Sequence, residues 1–121
     1  MGISQSIGNR GEDAAVEYLR AQGFQIRERN WRNGRYEIDI IAQRWDEVHF
    51  VEVKSRKAGG WTTPEEAIDS HKFQSLKRAA SLYISLHRLR EEPVFVLLAV
   101  ETLPNGEELV RFVEGAMQAH W

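Results

Sequence analysis

The chain has no cysteine, so disulfides and thiolate metal sites are excluded. That suits a reducing compartment, and a cytoplasmic protein is expected. No apolar run approaches the roughly 18 residues that a membrane span needs. The start, MGISQSIGNRG, lacks the basic and apolar regions of a signal peptide. There is no P-loop, no G-x-G-x-x-G and no G-x-S-x-G, so nucleotide-driven and serine-hydrolase chemistry have no support. The histidines, at 49, 71, 87 and 120, include no pair at zincin spacing, which argues against zinc. A strong charge of one sign is also missing. Net charge is −2, which counts against binding nucleic acid by bulk electrostatics alone. Repeats, low-complexity segments and linkers are absent as well.

What remains is enough for one domain. The 121 residues can enclose a single sizeable core, and 42% hydrophobic with 28% charged residues is ordinary for a globular protein. Basic residues do gather locally, at Arg27, Arg29, Arg32 and Arg35, at Lys54, Arg56 and Lys57, and at Lys72, Lys77 and Arg78. Each group is either a solvated face or part of a binding surface.

Periodicity predicts a helix over 8–22, with Gly8-Asn9 as its cap, Ala15, Tyr18 and Leu19 recurring at helical spacing, and Gly23 as its end. An outer strand is expected over 24–31 and two further strands over 36–43 and 47–55. Residues 56–63 are expected as a loop jointed at Gly59-Gly60, and Pro64 starts a short helical turn. A second helix follows from about 70 to 90, capped by Asp69, with Phe73, Leu76, Ala80, Tyr83 and Leu86 or His87 inward. VFVLLAVE, 94–101, is continuously apolar and predicts a strand buried on both faces. A turn at Pro104-Asn105-Gly106 leads to a last strand over 108–114. The order is α-β-β-β-α-β-β, a mixed sheet with helices packed on it.

Charges interrupt the two most strand-like segments, YEIDIIAQ and EVHFVEVKS. Side chains alternate faces along a strand. A two- or four-residue turn at Trp45-Asp46 would set Ile40 against Val51 and Ile38 against Val53 on one dry face. The other face would then set Ile41 against Phe50, Asp39 against Glu52 and Glu37 against Lys54. Opposed side chains have Cβ atoms about 4.5–5.5 Å apart, where like charges repel. Asp39 and Glu52 therefore need a cation between them or a shared proton. A divalent ion such as Mg²⁺ or Mn²⁺ suits oxygen ligands at this separation. The alternative is a salt-bridge network in which Lys54 pairs with Glu37 or Glu52. Glu12, near the buried stripe of the first helix, is either a third ligand or base, or a carboxylate favoured by the helix N-terminus.

Asp39 followed by Glu52-Val53-Lys54 resembles the PD-(D/E)xK nuclease superfamily. More narrowly, the chain looks like the bacterial YraN-like family of endonuclease-like proteins. The residues that carry this are Gly8 to Leu19, Asn30-Trp31-Arg32, Glu37 to Ile41, Phe50 to Lys54, and AIDSHKFQSLKRAASLYI at 67–84. The resemblance implies one endonuclease-like domain over 1–121 with a restriction-endonuclease-like core. It implies Asp39 and Glu52 as ligands of Mg²⁺ or Mn²⁺, joined by the Val53 carbonyl, and Glu12 completing the site. Lys54 would act on the attacking water or the phosphate, and Lys72 and Gln74 would touch the substrate backbone. The implied partner is DNA or RNA, with branched or structured DNA among the candidates, and no membrane. A dimer is compatible with cutting two strands, but the sequence is silent on oligomeric state. The rival expectation is a non-catalytic nucleic-acid-binding or protein-interaction domain on the same fold.

Two positions depart from the family pattern. Tyr36 stands where glycine is usual, which predicts a narrower approach to the site. Val96 stands where an aspartate is common, so any accessory role of that acid is lost. Trp61 either stacks on a base or caps the core, and Trp31 and Trp45 are expected to pack.

Overall fold

A computed structural model describes residues 3–57 and 70–113. The elements are α1 (Ile3–Ala21), β1 (Gln25–Asn33), β2 (Tyr36–Arg44), β3 (Glu47–Lys57), α2 (Ser70–His87), β4 (Glu92–Thr102) and β5 (Glu108–Phe112). The expected order is the observed one. The Gly59-Gly60 joint, Trp61, the turn at Pro64, the Asp69 cap and the residues after 113 lie outside the described residues.

The five strands form one sheet in the order β1-β2-β3-β4-β5. β3 and β4 run parallel, and every other neighbouring pair is antiparallel. Among the described residues, each face carries one helix. Ala15, Val16 and Leu19 of α1 pack with Ile40, Ala42, Val51, Val96, Leu98 and Val100. Phe73, Leu76, Ala80 and Tyr83 of α2 pack with Ile41, Phe50, Leu97 and Ala99 on the other side. β4 therefore gives alternate residues to both clusters, which explains its unbroken apolar run. Val96 is part of the α1 cluster and 3% exposed, so it leaves no acid in the site. Among the described residues, no helix is long and apolar enough to cross a membrane.

Both helices end by the same device. Phe24 N donates to Leu19 O and Gly23 N to Arg20 O, with Gly23 at φ +91°, a Schellman motif that satisfies the last carbonyls. Leu89 N donates to Ile84 O and Arg88 N to Ser85 O, with Arg88 itself at φ +52°. That left-handed residue stops α2 at His87, short of the expected 90. Leu86 is left 55% exposed, while His87 stacks on Tyr83 at 4.1 Å.

Other boundaries also move. α1 already runs from Ile3, so Gly8 and Asn9 lie inside it and do not cap it. Glu12 is then well beyond the first turn and gains nothing from the helix N-terminus. β3 continues through Arg56 and Lys57, which pair with Glu101 and Thr102 of β4. Trp45 is 77% exposed at the hairpin tip, at φ +55°, with the Arg44 guanidinium over its ring at 4.4 Å. It turns outward and does not pack in the core. Trp31 does pack, edge-on to Tyr83 at 5.3 Å.

Candidate active site

The expected register holds at the turn end of the β2–β3 hairpin. A two-residue link joins Arg44 and Glu47, and Ile41 faces Phe50 and Ile40 faces Val51. The ladder then stops. Asp39 is not paired with Glu52 across a ladder, nor Ile38 with Val53, nor Glu37 with Lys54. Ile38 lies in the α2 cluster with Ile41, whereas Val53 packs against the α1 cluster, so the predicted single dry face is broken at Asp39. Asn30 of β1, whose place faces Asp39, takes φ +52° in mid-strand. A left-handed residue there interrupts the pleat, and asparagine tolerates that conformation.

With the strands parted, the Val53 N–H needs another acceptor. The Asp39 carboxylate supplies it, with Oδ2 at 2.8 Å. The opening is a polar cleft of about 320 Å³ against α2. Glu37 and Asp39 enter it from β2, Glu52 and Lys54 from β3, Lys72 and Ser75 from α2, and Arg35 from the β1–β2 turn. Among the described lining residues the formal charges balance, three acids against three bases. They do not balance locally. Lys72 Nζ lies 2.7 Å from Glu52 Oε1, and Glu37 pairs outward with Arg32 at 3.3 Å. Asp39 has neither partner. Burial first, then Glu52, then Glu12 push its pKa from 3.8 up to about 7, against the Val53 N–H and Lys72.

The lysines carry the complementary bias. Burial, followed by the adjacent Lys72, lowers the pKa of Lys54. Burial also opposes the charge on Lys72, but the Glu52 carboxylate outweighs it and raises its pKa. Lys54 is thus not held by Glu37, and its close neighbour is a second ammonium.

The structure brings Asp39, Glu52, Lys54 and Lys72 together in this cleft. Glu12 is not among its lining residues. From α1 it acts on Asp39 through its charge, and its buried Oε1 has no hydrogen-bond partner among the described residues, with Arg29 Nη2 3.9 Å away. Gly11 lets α1 come this close: a Cβ there would lie 3.3 Å from that of Ser55 on β3. Gln74 is exposed and outside the cleft, whereas Ser75, three residues after Lys72 on the same helical face, lines it. That spacing was the signal for Ser75. Arg35 is the member of its basic group that reaches the cleft, since Arg27 donates to Tyr83 Oη and Gln43, and Arg29 to Asp13. Tyr36 is partly buried and packs against the α2 cluster.

Among the described residues, no three acidic or histidine side chains converge as a complete metal-ligand set. Mg²⁺ seldom needs one, because it binds through one or two carboxylates and completes its shell with water and phosphate. The donors here are all oxygen, and both the raised pKa of Asp39 and the orphaned Glu12 Oε1 mark uncompensated negative charge. The residues fit a hard divalent ion. A second cleft, about 230 Å³, opens on the α1 side between Tyr18, Phe24, Arg44, His49 and Phe112, and among the described residues no acid lines it.

A family profile described as "Uncharacterised protein family UPF0102" matches residues 11–112. The chain belongs to the UPF0102 family. All the residues gathered in the cleft, and Glu12 behind it, fall within the matched span. Bacterial relatives agree along most of the chain. A UPF0102 protein of Symbiobacterium thermophilum is 41% identical over 120 residues, 97% of this chain and 100% of its own. One from Bacteroides thetaiotaomicron is 40% identical over 100 residues, 83% of each chain. One from Oleidesulfovibrio alaskensis is 44% identical over 104 residues, 85% of this chain and 52% of its own.

Proposed function

We propose that this UPF0102 protein is a metal-dependent nuclease of the PD-(D/E)xK type, hydrolysing phosphodiesters in DNA or RNA. The observation that carries the reading is the parting of β2 from β3 at Asp39. It sets that carboxyl beside Glu52 and Lys54 in a polar cleft, with too little positive charge around Asp39 to ionise it at its ordinary pKa.

Asp39 and Glu52 would hold Mg²⁺ or Mn²⁺, with Glu12 adding negative charge from behind. The ion would neutralise phosphoryl oxygens and make bound water acidic. The remaining work falls to the chain. The Val53 N–H fixes one Asp39 oxygen and so orients the other. Lys54, whose surroundings favour shedding its proton, can take a proton from water or, charged, stabilise the phosphate. Arg35 and Lys72 line the same cleft and supply donors for the substrate backbone.

A second reading has one observation in its favour. Lys72 already neutralises Glu52, as it would in a nucleic-acid-binding module whose acids are structural. Incubation with single-stranded, duplex, flapped and branched substrates in Mg²⁺ or Mn²⁺ separates the two. A nuclease cleaves at least one of them, and Asp39→Ala or Glu52→Ala lowers the rate by about 100-fold or more, the order lost with one electrostatic group of an active site. Cleavage that survives both substitutions overturns the first reading. Salt-sensitive binding without cleavage, indifferent to metal and to Asp39→Ala, establishes the second.

A further inference from the structure

An ion pair of 2.7 Å in the cleft joins Lys72 Nζ to Glu52 Oε1, an oxygen of a carboxylate assigned above to the metal. The two partners differ in freedom. The Glu52 side chain is 11% exposed and the Lys72 side chain 47%. A short buried carboxylate has nowhere to go, while a long half-exposed lysine can swing into the cleft. Lys54 stands beside Lys72, so two ammoniums crowd one acid.

An ammonium and a divalent ion compete for the same oxygen. Once a metal takes Glu52, the attraction on Lys72 falls, and both the metal and Lys54 repel it. A substrate phosphate in the cleft would then offer it a new anionic partner. We infer that Lys72 is an exchangeable counter-ion, holding Glu52 in the metal-free protein, yielding it to a divalent cation, and turning with Lys54 to the substrate phosphate. This rests on the nuclease reading. It goes further in making one residue an obstacle to metal binding as well as a contact for substrate.

The test is a Mn²⁺ titration of the full chain without nucleic acid, by calorimetry and by melting temperature, on the wild type, Lys72→Met and Lys72→Gln. Methionine keeps the apolar stem without the charge, and glutamine keeps a donor should the methionine variant fold poorly. Both variants should bind Mn²⁺ about 2- to 5-fold more tightly than wild type, the scale set by loss of one partly exposed ion pair. Both should melt lower without metal, and saturating Mn²⁺ should close that gap. Equal or weaker Mn²⁺ binding by the variants overturns the counter-ion inference and leaves the nuclease reading standing. If Mn²⁺ binds neither wild type nor variants, both fall together.

Discussion

The two ends of the β2–β3 hairpin are built from similar apolar residues and behave as opposites. At the turn end, four consecutive pairs from Ile41–Phe50 to Arg44–Glu47 keep the ladder closed. Ile41, Ala42, Val48 and Phe50 are there at most 1% exposed. At the far end the ladder is open, a side chain replaces a main-chain acceptor, and charge fills the gap. Each end also has a titratable group drawn away from water, buried His49 and half-buried Asp39, and their pKa values move in opposite senses. His49 at the closed end is pushed toward its neutral form, with its pKa lowered mainly by burial. Asp39 at the open end is also pushed toward its neutral form, which for a carboxyl means a raised pKa. Burial therefore makes the closed end sensitive to acid and the open end sensitive to base.

The largest effect should come from removing the charge at the open end. Unfolded, Asp39 gives up its proton near 3.8, and folded, near 7. Between those values the native state binds a proton that the unfolded chain has lost. The stabilisation is complete below 3.8 and disappears as pH rises to 7, after which the wild type bears the full cost of the anion. An asparagine side chain at this position keeps a carbonyl oxygen to accept from Val53 N. Asp39→Asn should therefore stabilise the protein by about 2–4 kcal/mol at pH 8.5, and change little at pH 3.5. Urea midpoints at the two pH values measure this. A gain of equal size at both would mean that the charge is not its source. Mg²⁺ should raise the wild-type midpoint at pH 8.5 and leave that of Asp39→Asn nearly unmoved.

The closed end was legible in the sequence and the open end only in part, for a physical reason. Alternation and turn length determine a register wherever main-chain pairing is satisfied, so Ile40–Val51 and Ile41–Phe50 followed directly. The continuously apolar β4 likewise announced a strand covered on both sides. The parting at Asp39 depends on a side chain replacing a main-chain acceptor and on Asn30 turning left-handed in the neighbouring strand. Neither leaves a periodic trace. The identities of Asp39, Glu52 and Lys54 were legible as misplaced charges and as a family pattern, but their partners were not. Glu37 turned to Arg32, and Lys72 came from a helix distant in sequence to take Glu52.

A smaller effect is expected at the closed end, with the opposite sign in pH. His49 is 8% exposed, edge-on to Phe24 at 4.6 Å, and its Nε2 lies 3.0 Å from Glu47 Oε1. Its lowered pKa means that the unfolded chain takes up a proton near 6.5 that the native state refuses. The stability it contributes is present above 6.5 and is lost as pH falls below it. His49→Gln should make stability fall more steeply with rising pH below about 6.5, because it removes the rise that opposes the fall due to Asp39, while leaving the slope above pH 7 as in wild type. The change should be smaller than for Asp39→Asn, because Glu47 offsets part of the cost of charging the ring. Chemical denaturation across that range reads the slope directly. A slope changed in the other direction, toward stability rising with pH, would assign the closed end the behaviour expected of the open one.

The smallest effect should come from Glu37, and it decides what holds Lys54. Sequence alternation sets Glu37 opposite Lys54, whereas the parted strands leave Glu37 to Arg32, at 3.3 Å with side chains 63% and 74% exposed. Exposed pairs of this kind contribute about 0.2–1 kcal/mol. Glu37→Gln should therefore cost no more than about 0.5 kcal/mol. Two double-mutant cycles locate the interaction. Coupling with Arg32→Gln should equal most of that cost, and coupling with Lys54→Met should lie within error of zero. The opposite result, with coupling to Lys54 and none to Arg32, would mean that the ladder closes in solution beyond Ile40–Val51. The hairpin would then have two closed ends, with Lys54 held as a structural partner and withdrawn from the cleft.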